Sequence, residues 1–220
     1  MKINYLKVEK TARVVTNDAD PNKIKSVWLI AHGYGHLSNY FVNKFFEINN
    51  SDNLIIVPEG LHRYYLNGHS GKVGASWMTK EEREKDIEDY VNYLDKVYET
   101  FISHLNKNII VNALGFSQGG ATICRWASKT KHPIDNLIVW GSVIPPDMNW
   151  EDDLMQLQNF NWIYVVGNSD ELVKPEQQMA QLELLQKYNI KPELIYYNGG
   201  HDIHPEALHL LTQKCVKVKL

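Results

Sequence analysis

The sequence predicts an α/β fold in which a mostly parallel central β-sheet is covered by helices on both faces. Apolar runs rich in β-branched and aromatic residues recur between Gly, Pro and Asn, as in strands buried on both faces. Segments with helical period separate most of these runs, and strands that alternate with helices favour a parallel sheet. The predicted strands are residues 26–31, 53–57, 108–114, 137–140, 162–166 and 194–197.

The clearest helical segment begins at Thr79, where Glu82 follows three residues later in the spacing of a capping box. Apolar residues lie along one side of this segment and charged residues along the other. We interpret the apolar side as core packing against the sheet. Its members are Ile87, Val91, Leu94, Tyr98, Ile102 and Leu105.

The remaining segments complete the predicted architecture. Residues 2–15 alternate in the manner of a hairpin and predict antiparallel edge strands at the amino terminus. Residues 58–77 are predicted to form a long irregular loop, a type of segment that is more often functional than idle. Residues 141–161 are too few for a cap domain. No repeat or linker divides the chain, so we predict a single domain over residues 1–220.

The composition excludes several classes of protein. A chain of 220 residues can bury roughly 70% of its unfolded surface without disulfides or a structural metal. Cys124 and Cys215 lie far apart and are interpreted as reduced thiols. The net charge of −3, without a basic cluster, argues against nucleic acid as a partner. No apolar run has the length of a signal peptide or a membrane span, so we expect a cytoplasmic protein; no oligomeric state is predicted.

Ser117 is the predicted nucleophile. It stands in Gly115-Phe-Ser-Gln-Gly119, between a predicted buried strand and a helix. Glycines two positions before and after it allow a sharp, strained turn that exposes the hydroxyl. The following helix would place its N–H groups beneath that hydroxyl, where they favour developing negative charge.

A serine nucleophile requires a base and a carboxylate that orients it. His201 follows a predicted strand through Asn-Gly-Gly and is the predicted base, whereas His204 precedes Pro205 and is assigned to the start of the last helix. Asp170 follows another strand through Gly-Asn-Ser and is the predicted acid. Glu171 and Asp202 are rival carboxylates.

Acyl transfer also needs two N–H donors for the oxyanion. One is predicted to be the backbone of Gln118, directly after the nucleophile. The second is predicted to be the backbone N–H of Tyr34, in the sequence His-Gly-Tyr-Gly after an early strand, where Gly33 and Gly35 free the chain to turn.

Neither a metal nor a cofactor is predicted. His32 and His36 stand four residues apart, but the glycines between them oppose a helix, and no third ligand follows at a recognisable spacing. The same loop lacks the Lys-Ser/Thr ending of a phosphate-binding P-loop.

Four motifs, in chain order, carry a resemblance to a known family: His-Gly-Tyr-Gly, Gly-Phe-Ser-Gln-Gly-Gly, Gly-Asn-Ser-Asp and Gly-His, the first beginning at His32. Together they resemble the phospholipase/carboxylesterase branch of the α/β-hydrolases, which includes the acyl-protein thioesterases. The resemblance spans nearly the whole chain. It implies an α/β-hydrolase fold and cofactor-free hydrolysis of carboxylic esters or thioesters, with Ser117, Asp170 and His201 in the nucleophile, acid and base positions. The family's usual Gly-Asp is here Gly35-His36.

The function predicted from these residues is a carboxylesterase-like serine hydrolase acting through an acyl-enzyme. Without a cap domain the pocket should be shallow, which favours short to medium acyl chains on small alcohols or thiols. Two alternatives stay open: a serine peptidase or amidase, which uses the same triad, and a non-catalytic binding protein on the same fold. The predicted pocket walls are Tyr64, Trp77, Val143 and Val173.

Overall fold

The computed structural model describes residues 1–218 and contains a seven-stranded sheet and a separate two-stranded sheet within that range. The strands are β1 (Val14–Thr16), β2 (Ser26–Ala31), β3 (Asn53–Pro58), β4 (His62–Tyr65), β5 (Val73–Ser76), β6 (Ile110–Phe116), β7 (Asn136–Trp140), β8 (Asn161–Gly167) and β9 (Glu193–Tyr197). The helices are α1 (Ser38–Phe41), a 3-10 helix (Val42–Ile48), α2 (Arg83–Phe101), α3 (Gln118–Lys129), α4 (Trp150–Leu157), α5 (Pro175–Lys187) and α6 (Pro205–Lys214).

The large sheet has the strand order β1-β3-β2-β6-β7-β8-β9. Every neighbouring pair from β3 to β9 is parallel, and β1 alone runs antiparallel, at the edge. The mostly parallel sheet is therefore confirmed. The predicted strand at 108–114 begins two residues later, because a turn at Asn106 takes up the N–H groups of Asn108 and Ile109.

Helices cover both faces of the sheet, as predicted, and form two apolar cores. One core receives the buried side of α2 together with residues of α3 and α4, and the other receives residues of α1, the 3-10 helix and α6. Cys124 and Cys215 are both free, and burial raises the pKa of each thiol to about 12. Across residues 1–218, no helix combines the length and the apolar character that crossing a bilayer would require.

The amino terminus supplies an antiparallel edge strand, as predicted, but not a hairpin. Within residues 1–16 only Val14–Thr16 forms a strand, which pairs with β3. The chain before it is held instead by side-chain contacts near the start of α2, where Tyr5 donates a hydrogen bond to Glu82 and Lys7 pairs with Glu88. The alternating pattern of residues 2–13 therefore does not correspond to a strand ladder.

The start of α2 and the structure of residues 58–77 also differ from the predictions. Helix α2 starts at Arg83, because Glu82 has left-handed backbone angles (φ 48°, ψ 34°) and the N–H of Thr79 is taken by the Asp86 side chain. The segment predicted to be irregular contains the antiparallel β4–β5 hairpin. Each of its strands has only four residues, with few large apolar side chains, so the alternation of apolar and polar residues that identifies a strand could not be recognised.

A row of three asparagines closes the amino ends of β6, β7 and β8. Asn136 donates to Asn112 Oδ1 and accepts from Asn161 Nδ2, both at 2.8 Å. The same Asn136 side chain binds the backbone N–H and C=O of Val216. This row therefore fixes the carboxyl-terminal segment across the sheet, at the end opposite the carboxyl ends of the parallel strands.

Candidate active site

Ser117 lies in a strained turn between β6 and α3. Its backbone angles, φ 54° and ψ −120°, are unusual for a residue with a side chain. The turn is possible because strand and helix approach closely: a Cβ at Gly115 would lie 2.1 Å from the Gly119 carbonyl oxygen, and one at Gly119 would lie 2.1 Å from that of Ala31. The sharp turn at the end of the strand was correctly predicted from the glycine spacing.

Asp170 and His201 lie together in loops that follow β8 and β9. The Nδ1 atom of His201 is 2.9 Å from Oδ2 of Asp170. The Asp170 carboxylate is buried, and its other oxygen accepts the N–H groups of Leu172 and Val173 at 2.8 and 3.0 Å. These bonds fix the carboxylate beside Nδ1 of the imidazole, which is the contact by which a carboxylate orients the histidine of a serine hydrolase.

The strand β7 brings this pair next to the turn at Ser117. The N–H of Ser117 donates to the carbonyl of Trp140, at the end of β7, at 3.0 Å. The next residue, Gly141, lies against the pair: a Cβ there would be 3.2 Å from Asp170 Oδ2 and from His201 Nδ1. Phe116, the residue before Ser117, packs on the His201 ring with 4.8 Å between centroids.

The rival carboxylates are placed elsewhere. Glu171 is exposed, and Asp202 pairs with Lys44 of the 3-10 helix at 2.6 Å. The Lys44 ammonium and the backbone N–H of Ile203 hold the pKa of Asp202 below its ordinary value despite partial burial. His204 is the residue before α6, as predicted.

The backbone groups of Tyr34 and Gln118 lie on elements that flank the turn at Ser117. The Tyr34 loop is closed by the His36 N–H donating to Gly33 O and is tied to β5 by the Gly35 N–H donating to Ala75 O at 2.8 Å. Gly33 lies beside Ser117, since a Cβ at Gly33 would be 3.2 Å from the Ser117 Cβ. Gln118 opens α3, where the first N–H groups have no partner inside the helix.

His32 has a structural environment. It is fully buried, its Nε2 accepts the Gly60 N–H at 2.9 Å, and its Nδ1 lies 2.8 Å from Gly33 O. Burial lowers the pKa of His32 to about 4, so the ring is neutral. His36 stacks on Phe41, and burial together with the charge of Lys44 lowers its pKa as well. Among residues 1–218, no three His, Cys, Asp or Glu side chains are grouped as a metal site would require.

The four predicted pocket residues fall into two groups. Trp77 and Val173 are enclosed by the core, and Trp77 donates through Nε1 to the His32 carbonyl. Tyr64 packs against the exposed Tyr34 ring with 5.3 Å between centroids and a tilt of 34°, and Val143 is half-buried beside the core. Gly141 was missed, although a glycine directly after a buried strand is a usable signal for a close approach of chains.

Comparison with known proteins supports the same fold. The model of the Phospholipase/Carboxylesterase family matches residues 11–217. Esterase PE8 superposes with a TM-score of 0.71 at 17% identity, covering 94% of this chain and 100% of that one. The Zea mays acyl-protein thioesterase 2 gives 0.72 at 14% identity, with the same coverage. The Bacillus cereus carboxylesterase gives 0.65 at 15% identity, covering 92% and 94%. No curated protein matches the chain by sequence.

The family match spans nearly the whole chain. The protein therefore belongs to the phospholipase/carboxylesterase family and is a carboxylesterase-like hydrolase with the α/β-hydrolase fold.

Proposed function

We propose that the protein hydrolyses carboxylic esters and thioesters of short to medium acyl chains through a triad of Ser117, His201 and Asp170. The observation that carries this proposal is the 2.9 Å bond between His201 and a buried, doubly hydrogen-bonded Asp170, next to a serine with strained backbone angles. Backbone strain at a half-buried serine, beside an oriented imidazole, is characteristic of a nucleophile.

In the proposed reaction, Ser117 Oγ attacks the acyl carbonyl carbon while His201 Nε2 accepts its proton. Nε2 is buried and has no hydrogen-bond partner within residues 1–218, and bonds between nucleophile and base commonly tighten only when substrate binds. The N–H groups of Gln118 and Tyr34 hold the oxyanion. The imidazolium then protonates the leaving alcohol or thiol, and water, deprotonated by His201, releases the acid.

The proposed substrate range rests on the surroundings of the turn. The described residues contain no cap domain, which supports an open pocket. The paired Tyr34 and Tyr64 rings and the half-buried Val143 offer limited apolar surface. Thioesters are included because a solved relative of this fold is an acyl-protein thioesterase, and a thiolate is a better leaving group than an alkoxide.

The first test is Ser117→Ala. We expect turnover of a p-nitrophenyl ester to fall by a factor on the order of 10⁴ or more, because the acyl-enzyme cannot form. A fluorophosphonate should label Ser117 in the wild type, as mapped by mass spectrometry, and leave the variant unlabelled. Turnover near the wild-type level by the folded variant would refute the proposal.

The acyl-chain range is tested with a series of p-nitrophenyl esters of two to sixteen carbons, and with matched thioester and amide substrates. We expect kcat/KM to be highest for short and medium chains, because the open pocket adds no contact beyond them. A rising kcat/KM up to the longest chain would contradict this range, and a preference for the amide would assign the protein to the peptidases or amidases.

A further inference from the structure

The side chain of Gln118 makes an unusual set of contacts. Its Oε1 accepts the backbone N–H of Trp77 at 3.1 Å, and its Nε2 donates to the Met78 carbonyl at 2.9 Å and to Ser76 Oγ at 3.0 Å. The Ser76 hydroxyl itself donates to the same Met78 carbonyl at 2.8 Å. One amide therefore ties the first residue of α3 to three consecutive residues at the end of β5.

The same short segment also holds the other proposed oxyanion element. The Ala75 carbonyl accepts the N–H of Gly35, the residue after Tyr34, at 2.8 Å. Trp77, fully buried, donates through its indole Nε1 to the carbonyl of His32 at 2.8 Å. Residues 75–78, which we call the strap, are thus bonded to the Tyr34 loop on one side and to Gln118 on the other.

We propose that the Gln118 side chain is a positioning residue that, through the strap, sets the distance between the two backbone N–H donors of the oxyanion hole. This inference rests on the proposed function. The two donors belong to separate elements, a glycine-flanked loop and the first turn of a helix, so their separation depends on what connects these elements. An oxyanion hole is effective only if its donors are already in place when charge develops, because reorganisation then costs nothing.

The chemistry of the contacts requires an amide. The Trp77 N–H takes an acceptor, while the Met78 carbonyl, which already accepts from Ser76 Oγ, takes a second donor on its other lone pair; a side chain with one acceptor and one donor makes both bonds. Glutamate has the same shape but can donate only when protonated. Three charged or titratable side chains neighbour the strap in the described residues. Arg125 lies 3.6 Å from Met78 Sδ and is bound by Asp147, and His62 and Arg63 are the ladder partners of Ser76 and Ala75 on β4. His32 is buried and neutral.

The test compares Gln118→Glu and Gln118→Met with the wild type on one p-nitrophenyl ester. For Gln118→Met we expect kcat to fall about 10- to 100-fold with KM changed by less than about threefold, because the donors act on the transition state. For Gln118→Glu we expect the ratio of its kcat to that of the wild type to fall as pH rises from 5.5 to 8.5. Protonated glutamate can donate to Met78 O, and the ionised form cannot. Taking the ratio removes the pH dependence that both enzymes share through His201.

The matched control is Gln156, whose Nε2 donates to the Ala127 and Thr130 carbonyls far along α3. Gln156→Met and Gln156→Glu should lower the unfolding midpoint but leave kcat within about twofold and the kcat ratio flat with pH. A kcat within threefold of the wild type in folded Gln118→Met, or a flat ratio in Gln118→Glu, would overturn the inference. If the wild type itself neither hydrolysed the ester nor was labelled by the fluorophosphonate, the proposed function would be rejected instead.

Discussion

At residue scale, Gly141 shows how closely the site is built. Its φ of +53° lies in the region that favours glycine, and the position of an absent Cβ falls 3.2 Å from Asp170 Oδ2 and from two atoms of the His201 ring. The glycine thus serves two needs at once. It turns the chain after β7, and it leaves the space that Asp170 and His201, the proposed acid and base, occupy.

We expect Gly141→Ala to lower kcat/KM at least tenfold, because the new methyl group must displace the His201 ring or the carboxylate that orients it. The variant would also lose stability, about 1 kcal/mol or more from backbone strain. Steady-state kinetics and urea unfolding measure the two effects. Gly68→Ala is the matched control: φ is +65° there, but nothing lies within 4 Å of its added Cβ, so it should lose stability and keep its activity.

At the scale of elements, the sequence predicted those turns and loops whose form depends on residues close by in the chain. The strand–turn–helix around Ser117 follows from glycine spacing, and the loops of Asp170 and His201 from their positions after apolar runs. The β4–β5 hairpin was missed because its stability comes from partners distant in sequence, such as the bond between Gly35 and Ala75. The contacts of the Gln118 side chain depend on that hairpin, so no local pattern indicated them.

The asparagine row makes a prediction at this same scale. We expect Asn136→Ala to reduce the free energy of unfolding by roughly 3 kcal/mol, because the backbone groups of Val216 and the side chains of Asn112 and Asn161 lose their partner. Urea denaturation measures the loss, and kcat of the folded variant should be unchanged. Asn159→Ala, at an exposed position without side-chain hydrogen bonds in the described residues, is the control. Equal stabilities of the two variants would show that the row does not secure the sheet.

At the scale of the whole molecule, the parallel sheet separates two functions. The carboxyl ends of its strands carry the candidate site, and the amino ends carry the asparagine row that binds the carboxyl-terminal segment. His32 affects both the stability of the protein and the geometry of the site. It is a buried neutral ring that accepts the Gly60 N–H, and it lies directly before the Tyr34 loop.

Stability should therefore depend on pH through His32. Its pKa is about 4 in the folded protein and 6.5 as the ordinary value, so between these values the unfolded chain binds the additional proton. The contribution of neutral His32 to the free energy of unfolding is therefore fully present above pH 6.5. It is lost as pH falls toward 4, and the loss is about 3 kcal/mol in all. Urea unfolding at intervals of pH measures it. The His32→Gln variant should lack this part of the decline, and identical pH profiles for the two proteins would contradict the assignment.

The backbone angles of Ser117 bear on any attempt to redesign this sequence for stability. Glycine would adopt φ 54° and ψ −120° more readily than serine does, so a search for sequences that merely fold best would replace the hydroxyl. A redesign of this chain guided by stability alone would therefore discard the hydroxyl that the proposed chemistry uses as its nucleophile.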